Sequence, residues 1–140
     1  MSATRPQPNT IPLPRPSMVS QPFWDSCSRR ELTFQRCNQC QGVTFIPQPA
    51  CTHCLSTDLG WEKSKGKGSI YSWTVVWRPQ TPAFEIPYAI AIIDVDEGYQ
   101  MMSNIIGVDP KDLRVGQRVE VSFHKMSDEI TMPYFKPTGS

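Results

Sequence analysis

The chain has 140 residues, with 14 Lys plus Arg set against 13 Asp plus Glu and a formal net charge of +1. That length suits one sizeable core, and a charge so close to zero lacks the concentrated positive field of a dedicated nucleic-acid binder. Residues 1–8 hold no apolar run of signal-peptide length and the longest later run, residues 88–93, is too short to cross a bilayer, so the expectation is a soluble cytoplasmic protein with no membrane contact.

Residues 1–20 carry prolines at 6, 8, 12, 14 and 16 among small and polar side chains. Such a stretch offers little apolar surface against the entropy of ordering, and predicts a flexible Pro-rich arm, solvated or docked on a partner. Residues 21–34 predict a short helix opened by Pro22, with Phe23, Trp24 and Cys27 on one face. There Cys27 is a small buried hydrophobe, because no base that would lower its pKa lies nearby in sequence.

Residues 35–62 follow the pattern strand, knuckle, strand, knuckle. Cys37-Asn38-Gln39-Cys40 and Cys51-Thr52-His53-Cys54 are two Cys-x-x-Cys turns ten residues apart. Each tight turn lets two thiolates reach one metal, and the hairpin between them brings the second pair to the far side of a tetrahedron. The expected cofactor is zinc on Cys37, Cys40, Cys51 and Cys54, structural because four thiolates leave no open position. His53 is expected to face solvent or to form a hydrogen bond.

Residues 63–140 predict five short strands. Residues 70–77 alternate, placing Tyr71, Trp73, Val75 and Trp77 on one face, which predicts aromatics packed into a barrel core. Residues 88–95 and 99–106 flank Asp96-Glu97-Gly98 as a hairpin whose acids are solvated turn formers. Asp109-Pro110 predicts a helical turn; Val119, Val121 and Phe123 mark a fourth strand and residues 130–135 a fifth. Five strands in this order fit an OB-type barrel, making the fold mainly β. No phosphate loop, serine elbow or open metal site occurs, and His124 is expected to be exposed.

Pro22-Phe23-Trp24, residues 32–54, residues 68–76, Pro87-Tyr88, Asp96-Glu97-Gly98 and residues 112–116, in this order, resemble one family across residues 21–137. It is the zinc-ribbon and OB-fold family of acyl-CoA-associated proteins, a domain of unknown function found beside thiolases. The resemblance implies an N-terminal helix, a rubredoxin-like zinc ribbon and an OB-fold barrel. It also implies a non-catalytic partner of a thiolase-superfamily enzyme (thiolase, acyltransferase or retro-aldolase) acting on acyl-CoA substrates such as sterol side-chain CoA thioesters. A heterotetramer with two copies of each chain follows by analogy, and some relatives associate with an enoyl-CoA hydratase. The Pro-rich arm is not part of the shared pattern.

Within that reading, Phe23, Trp24, Trp77, Phe84 and Tyr88 are candidate partner contacts; the last three sit in a loop whose prolines limit the entropy lost on docking. Packing over the barrel end is the alternative. Lys63, Lys65, Lys67 and Arg78 are candidates for CoA phosphates, or form a solvated basic linker. Two other functions stay open: a single-stranded nucleic-acid-binding module stacking bases on Tyr71, Trp73 and Trp77, and catalysis by the chain itself through Cys27 or His124.

Overall fold

The computed structural model describes residues 3–138; the ends of the expected arm (Met1, Ser2) and barrel (Gly139, Ser140) lie outside the described residues. Helix α1, Gln21–Ser28, starts with proline in its first turn. It ends six residues earlier than the expected 34, because Arg30 turns into the left-handed region (φ 62) and its N–H bonds back to the Cys27 carbonyl. Leu32 and Thr33 then extend into a strand. Phe23, Ser26 and Cys27 form the buried face of the helix.

The ribbon is a three-stranded antiparallel sheet in the order β2-β1-β3, with β1 Thr33–Cys37, β2 Val43–Thr44 and β3 Leu59–Lys63. The barrel follows: β4 Lys67–Val76, β5 Tyr88–Val95, β6 Tyr99–Ile105, a 3-10 turn Pro110–Asp112, β7 Arg118–Lys125 and β8 Thr131–Pro137. These close in the order β4-β5-β6-β8-β7, with β6 and β8 parallel and the rest antiparallel, which is the OB arrangement. Asp109 caps the 3-10 turn by accepting from the Lys111 N–H. The core runs through all three parts: Phe23, Cys27, Leu32 and Phe34 join Ile70, Ile93, Ile105, Val119 and Phe135 in one cluster.

The aromatic face of β4 does not enter this core. A bulge lies between Ile70, paired with Ile93, and Ser72, paired with Ile92, and Tyr71 is the extra residue. Trp73 and Val75 then sit opposite Ala91 and Ala89, but the ladder from β4 to β7 ends at Ser69. Beyond it the strand leaves the closed barrel, so Tyr71 and Trp77 are 56% exposed and Trp73 38%. Alternation alone did not carry the bulge or the end of the ladder.

Residues 3–20 also differ from the expected flexible arm: they lie as a strap across the barrel. The Thr4 N–H donates to the Val108 carbonyl (2.8 Å) and its hydroxyl to the Ile105 carbonyl (2.8 Å). Gln7 clasps the Glu85 backbone, donating from Nε2 (2.9 Å) and accepting at Oε1 (2.8 Å). Thr10 donates to the Ala83 carbonyl (3.1 Å), and Arg5 pairs with Glu85 (2.6 Å). The strap satisfies its polar groups on the end of β6, on Val108 and on the loop of residues 77–87, interactions that proline content does not reveal.

Candidate metal centre and surrounding surfaces

The two knuckles are built from backbone amides turned toward sulfur. Gln39 and Cys40 N–H donate to the Cys37 Sγ (3.3 and 3.5 Å), Gly42 N–H to the Cys40 Sγ (3.4 Å) and His53 N–H to the Cys51 Sγ (3.3 Å). Cys37 and Cys54 Sγ lie 3.6 Å apart, as do Cys40 and Cys51, and all four sulfurs fall within 4.8 Å of one another. A tetrahedral ion with bonds of about 2.3 Å spaces its sulfurs about 3.8 Å apart. The observed cage therefore fits zinc without rearrangement of the chain.

Electrostatics point the same way. The backbone N–H of Cys54, then that of His53, lower Cys51 to about 6 against the effect of burial. Cys37 is lowered too, mainly by the Cys40 N–H. Cys54 has a helpful Ser56 N–H, yet the crowding sulfurs, Cys37 foremost, push it up to about 12. Four thiolates in so small a volume need a cation, and this one is zinc. His53 takes no place in the cage: its Nε2 meets the Val43 carbonyl (3.0 Å), and its ring lies where a Cβ on Gly42 would stand (2.6 Å from Cδ2), which is why residue 42 lacks one.

Four of the five partner-contact candidates come together: Phe23 and Tyr88, both buried, and Trp24 and Phe84, both half-buried, line one concavity. Phe84 stacks on Tyr88 (5.8 Å), and Phe23 meets Trp24 edge-on (5.1 Å). Trp77 stands with Trp73, Asp109, Pro110 and Lys111 around a separate concavity. One cation and one acid there provide no electrostatic track for a phosphate backbone.

The four basic candidates do not meet. Lys67 begins β4 and Arg78 lies past its far end, roughly 30 Å away along a strand rising about 3.3 Å per residue. Lys63 reaches Glu31 (3.8 Å), and the Lys65 backbone is held by Glu97. Cys27 is fully buried, and burial pushes its thiol up to about 12, leaving a protonated hydrophobe at neutral pH. His124, expected exposed, is half-buried against Tyr134 (5.6 Å); burial lowers its pKa, and its Nε2 lies 3.1 Å from the Ser122 hydroxyl.

Sequence reading missed the junction between ribbon and barrel. Glu97 accepts from the Ser64 hydroxyl (2.5 Å) and the Lys65 N–H (2.9 Å), and the Ser64 oxygen accepts from the Gly66 N–H (2.9 Å). Asp96 takes a two-pronged contact from Arg118 (2.9 and 2.6 Å), and Arg118 also reaches the Ser69 hydroxyl (3.0 Å). Both acids of the hairpin turn are structural anchors, and their partners lie 22 to 33 residues away, beyond any local pattern.

Fold and centre together define a zinc ribbon fused to an OB barrel. Two family models match in tandem: the ChsH2 rubredoxin-like zinc ribbon domain over residues 24–60 and the ChsH2 C-terminal OB-fold domain over residues 61–124. The chain belongs to this ChsH2 and DUF35 family. It is 35% identical over 103 residues to a DUF35 domain-containing scaffold protein of Methanothermobacter thermautotrophicus, covering 72% of this chain and 77% of that one. It is 34% identical over 126 residues to a probable enoyl-CoA hydratase alpha subunit of Thermomonospora curvata, covering 89% of this chain but 40% of that one. The chain thus spans about two fifths of the length of the hydratase alpha subunits it matches. Among solved structures it resembles a chain of the Ltp2-ChsH2(DUF35) aldolase, with TM-score 0.82 and 31% identity over 89% of this chain and 98% of that one. A DUF35 protein of Sulfolobus solfataricus shares the fold at TM-score 0.62 and 13% identity.

Proposed function

We propose that this chain is a non-catalytic accessory subunit that binds and stabilises a thiolase-superfamily enzyme acting on acyl-CoA, working in the cytoplasm. The observation that carries this reading is the likeness to the Ltp2-ChsH2(DUF35) aldolase, which runs along 98% of that chain. A metal held by four thiolates supports it, because zinc without an open position organises a surface and does not activate substrate. The fully buried, protonated Cys27 supports it as well. Helix α1 and the ribbon present Trp24 beside the half-buried Phe84, and these edges form the docking face.

The acyl substrates are CoA thioesters of the bulky kind named in the pregnadiene-carboxyl-CoA hydratase relative of Mycobacterium tuberculosis. The complex is a heterotetramer with two copies of each chain, the common outcome when a two-fold enzyme dimer offers two equal sites. Co-expression with a thiolase-superfamily enzyme of the same organism, followed by gel filtration with light scattering, should give that 2:2 mass and raise the enzyme's turnover. Trp24→Ala should weaken the complex. If neither mass nor turnover changes, the reading fails; a complex formed only with an enoyl-CoA hydratase replaces the thiolase-type partner.

A further inference from the structure

Strand β4 has an edge that the barrel does not use. On one side it pairs with β5 as far as Val76; on the other its ladder with β7 stops at Ser69, and the last bonds there join Ile70 to Gly116 (2.8 Å) and Gln117 (3.0 Å). Among the described residues no hydrogen bond outside the β5 ladder reaches the backbone of residues 71–76. Tyr71, Ser72, Trp73 and Thr74 are all exposed, so the strand is open on both faces as well as along this edge. A concavity of about 490 Å³ touches the consecutive residues Trp73, Thr74 and Val75. Their side chains alternate between faces, so the concavity meets the strand edge-on and leaves room for a chain beside it. A row of unpaired N–H and C=O groups is completed by another extended strand.

The residues of this edge say which strand. Solitary edges are ordinarily blunted by lysine or proline, yet from Gly68 to Trp77 there is neither a charge nor a proline. Laid antiparallel on a second copy about a two-fold axis at Thr74, residues 71–77 place Tyr71 opposite Trp77, Trp73 opposite Val75 and Thr74 opposite Thr74. Aromatic with aromatic, aromatic with β-branched and Thr with Thr are the favoured cross-strand pairs. We infer that β4 pairs with β4 of a second copy of this chain, in a self-complementary contact centred on Thr74. Three half-exposed rings of ~150–250 Å² each bury on the order of 300 Å² per copy, short of the ~800 Å² per partner of a stable interface, so the dimer forms only at high concentration. Trp24 and Phe84 of the enzyme-docking face line a different concavity, and the pairing does not rest on the accessory-subunit reading.

Sedimentation velocity of the zinc-loaded full chain, from about 5 to about 500 µM, should show the mass rising from one chain toward two. Thr74→Lys, at an exposed position, sets two like charges face to face and should weaken pairing at least about 10-fold, as should Thr74→Glu. An equimolar mixture of the two variants sets opposite charges face to face and should recover the dimer to within about 3-fold of wild type, a result specific to antiparallel pairing at Thr74. The assignment is overturned if wild type stays monomeric throughout, if Thr74→Lys pairs as wild type does, or if the mixture stays monomeric. If wild type is monomeric and Thr74→Lys instead loses the enzyme partner, the edge belongs to that enzyme and the assignment likewise falls. A dimer without any enzyme complex would sink the partner reading alone.

Discussion

Removing the metal should melt the ribbon between residues 37 and 59 and leave the barrel folded. Zinc in a four-cysteine site contributes on the order of 10–16 kcal/mol of apparent free energy near neutral pH. Between the knuckles the apolar contribution comes from Val43 and Phe45, both half-buried, at about 1–2 kcal/mol each. The metal therefore dominates the order of this segment several-fold. The barrel has its own closed ladder and fully buried Ile70, Ile93, Ile105, Val119 and Phe135. Hydrogen exchange read by mass spectrometry, with and without a strong chelator at pH 7, should show protection lost from residues 37–59 and kept in residues 67–76 and 88–105. Cys51→Ser should give the same pattern without chelator. Two outcomes refute the reasoning: a ribbon that stays protected without zinc, or a barrel that loses protection together with it.

Four further outcomes follow from local geometry. Gly68→Ala would drive a Cβ into the Asp94 carbonyl across the β4–β5 ladder, with Ile93 Cγ2 only 2.9 Å away, and should cost about 3 kcal/mol or prevent folding; urea midpoints within error of wild type would contradict this. Glu97→Ala removes the acceptor of Ser64 and Lys65 and should cost about 2 kcal/mol, since one of the two bonds is exposed; a loss below about 0.5 kcal/mol would deny the junction its role. The Arg118 hydrogen bond holds Asp96 below the usual carboxylate range, so its stabilisation is present above the unfolded value near 3.9 and lost as pH falls through the folded value. Both side chains are more than a third exposed, so the stability gap between wild type and Asp96→Asn should be small at pH 6 and close as the pH falls through the folded value; a constant gap would assign it elsewhere. Gln7→Ala frees the Glu85 backbone and should speed exchange in residues 77–88, whereas unchanged exchange would mean the strap merely lies there.

Most of the architecture was legible because its signals are local. The knuckle spacing fixes four ligands within eighteen residues, the hairpin turn carries its glycine, and Asp109-Pro110 marks the short helical turn between β6 and β7. What escaped depends on register and on contacts distant in sequence. The alternation of residues 70–77 is real, yet one bulge at Tyr71 and the end of the β4–β7 ladder at Ser69 decide where those rings go, and neither leaves a mark in composition. Five prolines in the strap suggested disorder, while Thr4 and Gln7, each bonded to residues 78 to 104 positions away, order it. Tyr88 counts in the sequence both as the head of a strand and as the end of the proline loop; the strand begins there and buries it.

The aromatic contacts tie the metal to the concavity that Trp24 and Phe84 line. Phe45 lies between the two knuckles in sequence and packs against Phe23 (5.6 Å) on one side and Tyr99 (5.0 Å) on the other; Phe34, four residues after Arg30 and three before Cys37, reaches the same Tyr99 (5.2 Å). A knuckle pair held by zinc thus fixes Phe45, and Phe45 lines the same apolar concavity as Ile11 of the strap and Phe84. A stability clip placed anywhere in the chain would have met the needs of a small sheet. Placed here, the closed metal sets the spacing between ribbon and barrel, and with it the width of the apolar face that the helix, the strap and the residue 77–87 loop share. The chemistry of such a centre lies in shape, and loss of zinc should therefore be felt first at Phe45 and Trp24, before any strand of the barrel opens.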